Sequence, residues 1–261
     1  MLRQRIVTAL IALGVLLLVM FVLPENAARA FIGLLVLGGA WEWSAFLGSS
    51  KASVRVFFVL LVAALVLLSG LLLPQVAEII LLASLVWWLL ALIWAFRFPT
   101  PVPVALRWLG GLFVLLPVFV ALALLYSADP VTLLFALIVV WAADVGAYFT
   151  GKRFGRVKLA AQISPGKTWE GVLGGLIVVS LVAIAFAAYR DLSYAVLVPF
   201  CMAAAALSIV GDLTVSMFKR TAGVKDSGTL FPGHGGILDR IDSVSAAAPL
   251  FALGLAWTGL G

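Results

Sequence analysis

Apolar runs of about 20 residues recur along the whole chain, and no other feature limits its fold so tightly. A bilayer core about 30 Å thick takes about 20 helical residues to cross, and a soluble core has no use for so many such runs. The runs do not alternate in hydrophobicity as barrel strands must, which leaves helices. With 65% hydrophobic and 11% charged residues and a mean hydropathy of +1.24, the chain reads as an all-α polytopic membrane protein.

Nine spans are predicted, at 6–23, 27–47, 54–73, 76–96, 108–126, 131–149, 170–189, 192–211 and 243–260. Pro24, Pro74 and Pro130 punctuate short connections. Pro249 sits inside the last and shortest-looking span, where neighbouring helices must re-satisfy the backbone. Ala28-Arg29-Ala30 mimics a signal cleavage site. The apolar run Ile6–Leu23 before it is 18 residues, however, longer than a signal's apolar region, and further spans follow. It is therefore expected to stay as the first span. If the N-terminus lies inside, Arg29 and Arg190 alone fall outside and the other 15 of the 17 Lys and Arg fall inside. Positive loops favour the cytoplasm, so the N-terminus is expected there and the C-terminus opposite.

Smaller signals fit the same frame. Cys201, the one cysteine, lies in an apolar run and reads as a buried small hydrophobe. Trp41, Trp43 and Trp257 flank spans and read as interfacial anchors. Gly171 and Gly175 form a small-xxx-small pair that predicts close helix packing.

The polar chemistry is concentrated in two long inner loops, 150–169 and 212–242. Both fall in a C-terminal region, 127–261, that follows five N-terminal spans within 1–126. The stretch KRTAGVKDSGTLFPGHGGILDRID (219–242) holds seven of the 28 charged residues, five glycines and the single histidine, His234. Carboxylates in or beside membrane spans mark functional sites by default. Asp144 lies inside span six, Asp212 ends span eight, and Asp239 and Asp242 open span nine on one helix face. Glu42, near the end of span two, is expected simply to be solvated at the interface.

Converging carboxylates suit a hard cation such as Mg²⁺, which takes one or two of them and completes its shell with water and phosphate oxygens. Lys219, Arg220, Lys225, Arg240 and His234 stand beside them, a mixture that suits a polyphosphate bound through metal. Purely basic loops would suit an anionic lipid face instead. Phe231–Gly236 cannot be helical, and its glycines let backbone N–H groups come close to a phosphate. His234 reads either as a loop hydrogen bonder or as a phosphate or leaving-group contact. In the other loop, Ser164-Pro165-Gly166-Lys167-Thr168 reads as a helix start with a lysine beside it, an anion site. It is not a nucleotide-binding phosphate loop, because that motif needs a glycine where Ala161 stands.

The run SMFKRTAGVKDSGTLFPGHGGILDRID (216–242) closely resembles the signature of bacterial phosphatidate cytidylyltransferases. DVGAY (144–148) and SPGKTWEG (164–171) resemble the family's earlier motifs, and Trp41-Glu42-Trp43 is similar to its N-terminal pattern. The resemblance implies a multi-pass enzyme of the bacterial inner membrane with its site open to the cytoplasm, which makes the outer side of the charge count, where the C-terminus is expected, the periplasm. It implies synthesis of CDP-diacylglycerol and pyrophosphate from CTP and phosphatidate with Mg²⁺, and leaves a second cation open. A homodimer is implied, and no nucleic acid. Asp144, Asp212, Asp239 and Asp242 become the metal-site candidates. Asp212, Asp239, Lys219, Arg220 and His234 are the catalytic candidates. Ser164, Lys167, Thr168, Lys225, Asp226, Gly235, Gly236 and Arg240 are the substrate-binding ones.

The residues are compatible with that chemistry. A phosphomonoester has its second pKa at about 6 and is already largely ionised at neutral pH, so a lone histidine is no obstacle. Lys167, Lys219, Arg220 and Lys225 would hold phosphate oxygens, and Arg240 would orient the aspartates on either side of it. An anion transporter would need polar groups at mid-membrane and often an inverted repeat, and neither is seen. CDP-alcohol phosphotransferases begin their motif with Asp-Gly, a dipeptide this chain lacks. A cytidylyltransferase acting on another lipid phosphate stays open.

Overall fold

The computed structural model describes residues 2–73, 75–230 and 235–260, with the side chains of residues 2–6 and of Ala256 left aside. Nine α-helices account for most of the described residues. They are α1 (Leu2–Phe21), α2 (Glu25–Trp43), α3 (Ala52–Leu72), α4 (Ala77–Arg97), α5 (Val104–Ala128), α6 (Pro130–Phe154), α7 (Trp169–Arg190), α8 (Tyr194–Thr221) and α9 (Leu238–Thr258). Each predicted span has its helix. Six of them, α3 to α8, are long and apolar enough to cross a membrane. Leu60, Leu67 and Leu71 point outward from α3, with Leu71 81% exposed, as a lipid-facing surface requires.

α9 is less apolar for a physical reason. It packs against α8, α5, α4 and α2, so protein rather than lipid surrounds it. Its buried face carries Val244, Ala246, Ala247, Ala248 and Phe251, mostly small side chains that let neighbouring backbones come close.

Three helix ends differ most from expectation. α6 runs on to Phe154, α8 runs on to Thr221, and α9 begins at Leu238, so the two loops shrink to 155–168 and 222–237. Lys152 and Arg153 end α6, and Lys219 and Arg220 end α8. Cations in a last helical turn favour the negative end of the helix dipole, so these basic residues extend the helices instead of starting loops. The shortened first loop contains an antiparallel hairpin, β1 (Lys158–Ala160) with β2 (Ser164–Thr168). Ser164-Pro165 is thus strand, not helix start. The cap of α7 is Thr168, whose Oγ1 accepts the Gly171 N–H at 3.1 Å.

The expected glycine seam is present between α6 and α7. A Cβ on Gly175 would lie 2.7 Å from the Ala143 carbonyl oxygen, and one on Gly171 would lie 2.9 Å from that of Ala147. Backbone touches backbone here, which sets Asp144 beside the start of α7. Cys201 is buried, as its sequence context implies. Trp43 overturns the anchor reading: it is fully buried, donates Nε1–H to the Arg107 carbonyl at 2.8 Å and lies 4.8 Å from the Phe218 ring. Trp41 is exposed, with the Arg55 guanidinium 4.8 Å from its ring centroid, and Trp257 is exposed too.

The bundle has two chemically distinct ends. At one, Arg29 pairs with Glu25, Arg190 pairs with Asp129 at 3.0 Å, and Tyr126 donates to the Leu23 carbonyl. The other end holds the hairpin, the described residues 222–230 and 235–237 and the clustered aspartates. Because the α6–α7 seam has no room for a methyl group, Gly175→Ala should destabilise the protein by about 1–3 kcal/mol. Unfolding in detergent would read this as a lowered midpoint, and an unchanged midpoint would contradict the packing described.

Candidate active site

A cavity of about 590 Å³ opens where α6, the β2–α7 junction, α8 and the start of α9 meet. Its wall includes the carboxylates Asp144, Asp212, Asp226, Asp239 and Asp242 and the cations Lys152, Lys167, Lys219 and Arg240, with Ser164, Gly166 and Thr168 between them. Residues 144 and 242, nearly 100 positions apart in sequence, thus face one space.

The aspartates are not equivalent. Asp212 stands inside α8, more than two turns before its end, and pairs with Lys167 of β2 at 2.6 Å. Its Oδ1 also accepts the Ser216 hydroxyl at 3.0 Å. Asp239 is fully engaged. Oδ1 accepts from Lys219 Nζ at 2.8 Å, and Oδ2 accepts the Ser227 and Gly236 N–H groups, each at 2.9 Å. Asp242, one turn along, is buried and among the described residues takes only its neighbour Ser243 N–H at 2.8 Å. Asp144 has no hydrogen-bond or ion-pair partner among the described residues.

The remaining candidates divide. Ser164, Lys167, Thr168, Lys219, Asp226 and Arg240 line the cavity, although the Thr168 hydroxyl oxygen is committed to capping α7. Arg220 turns away from it. Its Nε donates to the Ile163 carbonyl at 3.2 Å, which pins the hairpin to α8. Lys225 is exposed and lies off the cavity wall. Gly235 adopts φ of +79°, a left-handed conformation that glycine reaches without strain, and Gly236 supplies an N–H to Asp239. His234 lies outside the described residues.

Glu42 is the residue that sequence reasoning misjudged. It is 8% exposed, not solvated, and its carboxylate accepts from Ser227 Oγ at 2.8 Å, Ile237 N at 2.9 Å and Leu238 N at 2.8 Å. Its place between Trp41 and Trp43 was the only signal available.

No three His, Cys, Asp or Glu side chains among the described residues stand close enough as placed to hold a cation together. Lys167 and Lys219 instead neutralise two of the carboxylates. The donor set still suits a hard cation. Asp144, Asp212 and Asp242 offer carboxylate oxygens to one cavity, and Asp144 has no competing protein donor there among the described residues.

The model of the cytidylyltransferase family matches residues 3–257. The chain belongs to that family. Within it, the chain is 45% identical to a phosphatidate cytidylyltransferase of Pseudomonas aeruginosa, over all of this chain and 99% of that one. It is 35% identical to the protein of that name from Haemophilus influenzae, over 97% of this chain and 98% of the other. A third relative of that name, from Brucella suis, is 44% identical over 144 residues, 51% of each chain. In this cytidylyltransferase the two lysine pairs differ in burial, and the difference is testable. The Lys219–Asp239 side chains are 9% and 7% exposed, against 24% and 26% for Lys167–Asp212. Stranding one partner of a buried pair costs about 3–5 kcal/mol, so Lys219→Met should lower stability by that order. Lys167→Met should cost nearer about 1 kcal/mol. Unfolding of both variants in the same detergent would check the ranking.

Proposed function

We propose that this membrane-embedded cytidylyltransferase is a phosphatidate cytidylyltransferase, which joins CTP and phosphatidate into CDP-diacylglycerol and releases pyrophosphate. The observation that carries the reading is the cavity itself. It gathers carboxylates and lysines from α6, β2, α8 and α9 at one end of an apolar bundle, where a lipid headgroup and a soluble nucleotide can meet. The full-length likeness to enzymes of that name supports it.

The chemistry needs little beyond placement. A non-bridging oxygen of the lipid phosphate attacks the α-phosphorus of CTP. The bond from that phosphorus to the bridging oxygen breaks, and pyrophosphate leaves with the electron pair. Because the attacking phosphate is already ionised, no side chain has to remove a proton. Positioning and charge neutralisation carry the rate, as in phosphoryl transfer generally. Lys167, Lys219 and Arg240 bring positive charge to the cavity wall for phosphate oxygens, while Arg220 acts through the hairpin it holds. Asp144, Asp212 and Asp242 would hold Mg²⁺, which when bound offsets charge on the nucleotide phosphates and on the leaving pyrophosphate. Asp239, with both oxygens occupied, instead keeps α8 and the loop in register.

In this reading the cavity end faces the cytoplasm of a bacterial inner membrane. The crowding of Lys and Arg at that end supports the orientation. The large outward-facing apolar side chains of α3 and α4 are available to lipid and to a second copy in a homodimer.

Purified protein supplied with CTP, Mg²⁺ and phosphatidate should form CDP-lipid and pyrophosphate one for one, and should stop when the metal is chelated. Absence of CDP-lipid would overturn the assignment. Asp144→Asn should lower turnover by about 100-fold or more, the scale of removing one electrostatic contact from a transition state. Orientation can be read from single cysteines placed at Lys225 and at Asp191 after Cys201→Ser. An impermeant thiol reagent applied to intact cells should reach position 191 and not position 225, and the reverse pattern would invert the topology.

A further inference from the structure

Two carboxylates from distant parts of the chain grip the same loop. Asp239, on α9, takes the Ser227 N–H at 2.9 Å, and Glu42, on α2, takes the Ser227 hydroxyl at 2.8 Å. Ser227 is thus the joint between them. At the far end of the loop, Asp239 accepts from Gly236 N, while Glu42 accepts from Ile237 N and Leu238 N. The loop is held at both ends by these two side chains.

The first turn of α9 shows why Glu42 is there. A helix start leaves backbone N–H groups without partners, and a Ser, Thr, Asp or Asn at the cap position normally satisfies one. Here the cap position is Ile237, which has no side-chain acceptor. The acceptor comes instead from Glu42, 195 residues away in sequence, and its negative charge meets the positive end of the α9 dipole. The loop is also shaped around it. A Cβ on Gly228 or on Gly236 would collide with the Glu42 carboxylate, so glycine is needed at both positions for close approach. Trp43, buried and bonded to the Arg107 carbonyl, fixes the end of α2 from which Glu42 reaches out.

We infer that Glu42 is a positioning residue for the cytidylyl transfer. It holds the chain at Ser227 and at Ile237 together with the first turn of α9, and so sets where Asp226, Asp239, Arg240 and Asp242 stand on the cavity wall. It touches none of the reacting atoms. The inference rests on reading that cavity as the active site.

The test uses Glu42→Gln, Ser227→Ala and the double variant of the full-length protein in detergent. Turnover is measured per folded molecule, and trypsin cleavage is followed at Lys225 and at Lys152. A misplacement of about 1 Å costs about 100-fold in rate, so Glu42→Gln should lower kcat by that order. The KM for CTP should move less than about threefold, because contacts common to ground and transition state are kept. Ser227→Ala removes one hydrogen bond to a charge and should cost about tenfold. The double variant should be no worse than Glu42→Gln, since both changes break one shared contact. Cleavage at Lys225 should quicken while cleavage at Lys152 does not. The inference is overturned if both single variants turn over within about twofold of the parent, since truncating a real positioning contact costs more. It is equally overturned if the losses follow only the folded fraction and cleavage rises at both sites. Should Glu42→Gln not fold, Ser227→Ala decides alone. A parent protein that makes no CDP-lipid would overturn the activity, and the selective protection of Lys225 would still decide whether Glu42 holds the loop.

Discussion

The buried ion pair between Lys219 and Asp239 joins the two elements on which this end of the molecule depends. Lys219 stands in the last turn of α8 and Asp239 in the first turn of α9, and their 2.8 Å contact ties the two helix ends together. In the apolar surroundings of a helical bundle, neither charge could be buried alone, because an unpaired ion there costs several kcal/mol. Each therefore requires the other. The same logic runs through the neighbouring residues. Lys167 answers Asp212, the α9 N–H groups answer Glu42, and the carbonyls of Ile163 and Val224 answer Arg220. These side chains are placed by their partners, so this part of the site is as rigid as that network.

The network also separates two kinds of carboxylate. Glu42 and Asp239 spend their oxygens on the protein's own donors and belong to the scaffold. Among the described residues, Asp144 spends none and Asp242 takes only an adjacent N–H. Those two, with Asp212, retain capacity toward whatever enters the cavity. A motif such as Asp-Arg-Ile-Asp looks uniform along the chain. Three residues of helix put its two acids in different company, one toward the loop and one toward α8.

What could be read from sequence was what a bilayer dictates. Nine apolar runs became nine helices, and the glycines at 171 and 175 packed α7 on α6. The grouping of Asp144, Asp212, Asp239 and Asp242 around one cavity followed from their shared nearness to one membrane edge. What could not be read was how far helices project beyond the apolar run, since hydropathy falls silent where Lys219 and Arg220 begin. The β1–β2 hairpin is too short for periodicity to announce. Glu42 and Trp43 were misjudged for one reason: position along a span says how deep a residue lies, not which way it faces. Both face protein, and only the packing of α2 against α5, α8 and α9 decides that.

That packing bears on why the N-terminal spans exist at all. None of the cavity-lining residues comes from α1 to α5. Yet α2 supplies the cap of α9, and α5 holds α2 through the Arg107 carbonyl on Trp43. α9 itself carries small residues that suit protein neighbours and would make a poor lipid-facing span. The first five helices therefore do two things for the last four. They give α9 a protein environment in which a helix opening with Asp239, Arg240 and Asp242 can sit, and through Glu42 they set the position of its first turn. The cavity-bearing half is not a module resting on an inert anchor, because its central helix is completed from the other half.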